Sequence, residues 1–194
     1  MSRYNKNDFL ADLTKEVEEA KSFAQQLLNK DESLLQLRPA EDKWSVLECI
    51  DHMLQASQVY TVQIKDRIQQ IKQYKNDDQV KIGWLGGWLA SSMRPKEGEI
   101  KNKMGTMGKL KPGNSLNTAI IQEFIQLQEQ LLDILNESKN LNLNKPKLKT
   151  AIGSLLKLRL GEALNFVIAL NTRHIQQAKN AMNVIENKQH SYNP

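Results

Sequence analysis

A chain of 194 residues with 40% hydrophobic and 25% charged side chains is long enough for one substantial core and too ordinary in composition to be disordered or fibrous. Its single cysteine, Cys49, excludes an internal disulfide and a Cys-rich metal site; no run approaches the ~20 apolar residues of a membrane span, and the start, Met1 to Leu13, has no basic-then-apolar leader pattern, so one domain over 1–194, cytoplasmic and without a membrane, is expected. The net charge of +5 gathers in two segments, 65–111 with eleven Lys/Arg against five Asp/Glu and 139–159 with six against none, which read as solvated Lys-rich connections rather than cations grouped on one face or interleaved with aromatics, and nucleic acid is not an expected partner.

The first element follows from Phe9, Leu13, Val17, Ala20, Ala24, Leu27 and Leu28, whose spacings of three and four predict an amphipathic helix. It ends near Asn29 to Asp31, and Arg38-Pro39 imposes an extended linker, because the residue before proline is pushed out of the helical region. Ser45-Val46-Leu47-Glu48 then forms a Ser-x-x-Glu capping box. The helix it starts at about Val46 carries Leu47, Ile50, Leu54, Ser57, Thr61, Ile64, Ile68 and Ile71 on one stripe and stops at Lys75 to Asp78.

Glycines and prolines interrupt every periodic pattern between about 79 and 114, leaving only Trp84 to Met93 as a candidate short helix. An irregular insert of this length in a compact bundle is functional or mobile. Trp84 and Trp88 lie four apart and share a face; large aromatics are usually buried for their area, so packing onto the bundle is expected, with an exposed partner site as the alternative. Ser115 caps a third helix with the stripe Leu116, Ile120, Phe124, Leu127, Leu131 and Leu135. After Lys145-Pro146 a last helix begins near Leu158 and carries Leu160, Leu164, Val167, Asn171, His174, Ala178, Met182 and Ile185. Four long helices without a strand signal predict an all-α four-helix bundle, with any ligand held between facing helices.

There is no Gly-rich phosphate loop, no nucleophile elbow and no acidic cluster at ligand spacing. Histidine remains as the source of chemistry: His52 on the second long helix, His174 on the last, and His190 in what reads as a frayed tail. His52 follows Cys49 by three and precedes Ala56 by four, on the small-residue flank of a buried stripe; Cys49 itself reads as a buried small hydrophobe. His174 follows Asn171 by three, so both turn toward the core from one face. The spacing alone favours satisfied core histidines, since two imidazoles do not make a metal site and a catalytic metal needs about three protein ligands.

The stretch Asp42 to Met53 resembles the W-S-x-x-E-x-x-x-H opening of the second helix in DinB-like proteins. Gly108 to Pro112 is similar to that family's Lys-x-x-Pro segment before the third helix, and Glu162 to Phe166 leading to Thr172 to Gln177 is similar to its last helix. The resemblance runs from about 9 to 186 and implies a four-helix bundle of the DinB/YfiT type with an insert between helices two and three, often a homodimer. It also implies a divalent metal, zinc or nickel, held by one His of helix two and a His-x-x-x-His pair of helix four, and in some members thiol-dependent transferase activity. By position His52 matches the first ligand and His174 the last, but Leu170 stands where the third belongs. Asn171 is one position off, and an amide is a poor substitute for imidazole at a transition metal. The expectation is a bundle that binds a small molecule near His52, Asn171, His174, Leu170 and Cys49 without a stable metal. Alternatives are a weak or substrate-completed metal site and a third ligand from elsewhere, as in a metal-dependent transferase or hydrolase. No catalytic residue is assigned.

Overall fold

A computed structural model describes residues 1–96, 98–100, 110–150 and 153–192. Four long helices dominate it: α1 (Lys6–Leu27), α3 (Val46–Lys72), α5 (Ala119–Ser138) and α6 (Leu160–Tyr192), with the short α2 (Glu32–Gln36) and α4 (Trp84–Met93) on the connections. α1 packs chiefly on α5 and α6, and so does α3, which puts α5 and α6 on one diagonal of a four-helix bundle. No described helix is long and apolar enough to cross a membrane.

Local chemistry sets the helix starts. Asn5 accepts hydrogen bonds from the backbone of Asn7 and Asp8 at the head of α1. At α3 the Ser45 hydroxyl accepts from Glu48 N and the Glu48 carboxylate from Ser45 N, so the reciprocal cap read in the sequence forms. α5 departs from expectation. It starts at Ala119 rather than after Ser115, because Glu32 of α2 accepts from both the amide and the hydroxyl of Thr118 while Asn117 accepts from Ala119 N. α6 starts two residues later than expected and continues to Tyr192, so the backbone at His190 is helical rather than a frayed tail.

The expectation of no strands is corrected by two antiparallel ribbons. β1 (Ser2–Asn5) pairs with β2 (Gln79–Ile82), and β3 (Lys147–Thr150) pairs with β4 (Gly153–Arg159). In β3 Leu148 and Thr150 are buried while Lys147 and Lys149 are exposed, the period-two alternation of a half-buried strand. α4 forms where the short helix was expected, but Trp84 and Trp88 point outward, 79% and 53% exposed, against the expectation that they pack. The helix is seated by its other side instead, through Gly86, Leu89, Ala90 and Met93; a Cβ at Gly86 would lie 2.9 Å from the buried Glu162 side chain, so only glycine fits there.

The core divides into two apolar clusters. One contains Leu13, Val17, Ala56, Tyr60, Leu131, Leu164 and Leu170, and the other Ala20, Cys49, Met53, Phe124, Ile175 and Ala178. The boundary falls on α6 between Leu170 and Ile175, where the buried polar residues Asn171 and His174 lie.

Candidate functional site

The capping box places His52 in the second turn of α3, and the apolar stripe of α6 turns His174 toward it. Both are buried, at 5% and 8% exposure, and their ring centroids are 4.4 Å apart in an edge-to-face arrangement. Trp44, two residues before α3, lies against both, 5.0 Å from His52 and stacked on His174 at 5.6 Å.

Each ring is tied at one nitrogen. His52 Nδ1 lies 2.7 Å from the carbonyl oxygen of Leu110. A carbonyl only accepts, so Nδ1 carries the proton and Nε2 is left as a lone-pair acceptor. His174 Nδ1 donates to Gln177 Oε1 at 3.1 Å, which gives the same tautomer. Asp51 holds the segment that brings in Leu110, its carboxylate accepting from Gly113 N at 2.9 Å and from Gln55 Nε2 at 2.7 Å.

Burial is the largest influence on both imidazoles and disfavours their charged forms. His52 is lowered below the ordinary range, with the Leu110 bond and Asp51 opposing. His174 falls to about 3, pushed further by the proximity of His52. Near neutrality the pair is uncharged. Burial pushes the Cys49 thiol well above its usual range, so it is an inert member of the core rather than a nucleophile.

The other expected residues divide. Asn171 is buried and its Oδ1 accepts from Ser57 at 3.1 Å, with no partner for its Nδ2. Leu170 belongs to one apolar cluster and Cys49 to the other, on either side of the histidines. The residues read from the sequence thus bring two imidazoles together and hold an amide beside them. Trp44, Leu110 and Gln177 complete the arrangement without having been singled out; all three lay within the recognised motifs, but Leu110 acts through its backbone carbonyl, which its side chain does not announce.

Two Nε2 acceptors with anchored Nδ1 protons have the outer-shell support of metal-ligating histidines. The donor set nevertheless does not fit a firmly held ion. Among the described residues no group of three His, Cys, Asp or Glu could hold one, and the position one turn before His174 is aliphatic.

Trp44 also lines an open cleft of about 1020 Å³ between α2 and residues 111–117, with Arg38, Glu48, Lys111 and Asn114 on its walls and neither imidazole among them. Arg38 pairs with Glu48, Nε to Oε2 at 2.9 Å, so the charge of that wall is largely compensated.

Residues 12–178 match a family model, DinB_2, described as the DinB superfamily. No curated protein and no solved structure matches the chain.

Proposed function

The chain belongs to the DinB superfamily, and from that premise we propose that it binds a small uncharged molecule at the His52–His174 pair without depending on a resident metal. The observation that carries this reading is the fixed tautomer of both rings. Their Nδ1 protons are committed to Leu110 and Gln177, which leaves the Nε2 of each as an acceptor on two rings 4.4 Å apart with the Trp44 indole against both. Such a site suits a compact ligand bearing hydroxyl, thiol or amide donors, approaching through the cleft and replacing the contact with Trp44. Binding is favoured over acid–base chemistry because an imidazole with a pKa of about 3 is a poor base near neutrality, whereas a catalytic base works best with its pKa near the operating pH.

The test has two arms on untagged protein. Calorimetric titration with zinc chloride and nickel sulfate is expected to show no tight stoichiometric uptake, and stoichiometric binding would reject the metal-independent reading. A thermal-shift panel of uncharged thiols, alcohols and amides is expected to contain a stabiliser; at 100-fold its Kd such a compound adds about 2.7 kcal/mol, about 5–10 °C for a chain of this size. The effect should vanish in His52→Phe. A second reading, a divalent-metal-dependent thiol transferase or hydrolase, draws on the same anchored imidazoles and requires a third donor beyond them.

A further inference from the structure

The bundle end remote from the histidines carries a surface that the site above does not use. α4 has no charged residue in its ten. Its outward side presents Trp84, Leu85 and Trp88, all exposed, and its two serines turn their hydroxyls back to the carbonyls of Trp88 and Leu89. Two indoles and a leucine on one face form an apolar patch of the kind that marks an interaction site.

The ribbons beside it are cationic. Arg3 stands opposite Lys81 across β1–β2; Lys147 stands opposite Arg159, and Lys149 opposite Lys157, across β3–β4. Like charges directly opposed weaken a ladder, a cost relieved at Lys81 and Arg159 by their carboxylate partners. The ribbons meet at Arg159, whose Nη1 donates to Lys81 O at 3.0 Å and lies 4.0 Å from the Cβ position of Gly83, the residue before Trp84. Asp77 and Glu162 partner Lys81 and Arg159. Lys149 and Lys157 remain exposed on a ribbon face whose other side buries Leu148 and Leu158.

We propose that α4 and the two ribbons form a peripheral docking surface for an anionic lipid bilayer, with Trp84, Leu85 and Trp88 entering the headgroup boundary and the ribbon cations drawn to acidic headgroups. Tryptophan favours that boundary, and stable peripheral attachment takes an apolar element together with a basic one. Charge decides against a second copy of the chain, which would set the same cations against themselves. A nucleic acid would use the cations and stack on the indoles, but it gives no role to the exposed Leu85 beside them on a helix without a charge. The surface lies about 21 Å along α6 from His174, at a rise of about 1.5 Å per residue, so it is separable from the histidine pair.

The test is co-sedimentation of the full chain with phosphatidylcholine vesicles with and without phosphatidylglycerol, together with tryptophan emission. Binding should require the anionic lipid, weaken with salt and shift the emission to the blue. Lys149→Gln/Lys157→Gln should lose about 30-fold in vesicle affinity, at about fivefold per cation. Trp84→Ser/Trp88→Ser should lose at least about tenfold. All four positions are exposed, so unchanged circular dichroism and melting temperature are expected to certify both variants. Equal sedimentation with and without phosphatidylglycerol, or full retention in both variants, overturns the proposal. Single-stranded DNA bound in preference to vesicles overturns it in favour of nucleic acid, and self-association abolished by Trp84→Ser/Trp88→Ser overturns it in favour of a second copy.

Discussion

Acidification to about pH 5 is expected to cost the fold about 2 kcal/mol through His174 alone. An exposed histidine in the unfolded chain titrates at 6.5, whereas His174 in the bundle, buried against His52, does so only at about 3. Between those values the unfolded chain takes up a proton that the folded one refuses. Stability therefore falls as the pH drops through 6.5, and the loss is complete only below about 3. Each pH unit in that window is worth about 1.36 kcal/mol, so about 1.5 pH units below 6.5 amount to about 2 kcal/mol. At 2–4 °C per kcal/mol for a protein of this size, that is about 4–8 °C in Tm. His52, also lowered by burial, adds to the loss in the same direction. Carboxylates titrate in this range too, so the assay is a difference: melting of the native chain and of His174→Leu at about pH 7.5 and about pH 5, with His174→Gln as a second variant. The native chain should lose about 4–8 °C more than either. Equal losses would show that His174 is not held neutral, and the buried, uncharged pair would have to be abandoned.

Leu170→His supplies the missing third imidazole one turn before His174 and is expected to create zinc affinity in a calorimetric titration, while costing about 1–3 kcal/mol in the metal-free protein. An unchanged titration would mean that position 170 does not converge on the pair. Gly86→Ala places a methyl 2.9 Å from Glu162 and should lower stability by about 1–3 kcal/mol in chemical denaturation; a neutral result would contradict the seating of α4. Ser45→Ala removes the N-cap acceptor of α3 and should cost about 1 kcal/mol, with an altered Trp44 emission in a Trp84→Phe/Trp88→Phe background as the reporter. Loss of stability with unchanged emission would uncouple the cap from the indole.

The long helices were legible because their apolar stripes follow one period and because Ser45 and Glu48 cap each other within four residues. The start of α5 was not, since Glu32, far away in sequence, holds Thr118. The ribbons were missed although Lys147 to Thr150 alternates cleanly, because a four-residue strand has little pattern to distinguish it from a polar connection. α4 was found but its orientation was inverted: a helix apolar on every side gives periodicity no means of choosing its face, and the contact of Gly86 with Glu162 made the choice. At the candidate site the helical spacings brought His52 and His174 to the interior. They did not fix how the rings are anchored, because one acceptor is a backbone carbonyl and the other, Gln177, is one of several residues within a turn of His174.

Trp44 immediately precedes the N-cap of α3, so the indole covering the two imidazoles is attached to a helix terminus, the part of a helix that opens most readily. Ser45, Glu48 and, through its ion pair, Arg38 hold that terminus closed. Withdrawing Arg38 from Glu48 would take one tie from the turn on which that indole stands, so the cover over the buried imidazoles is only as firm as the first turn of one helix.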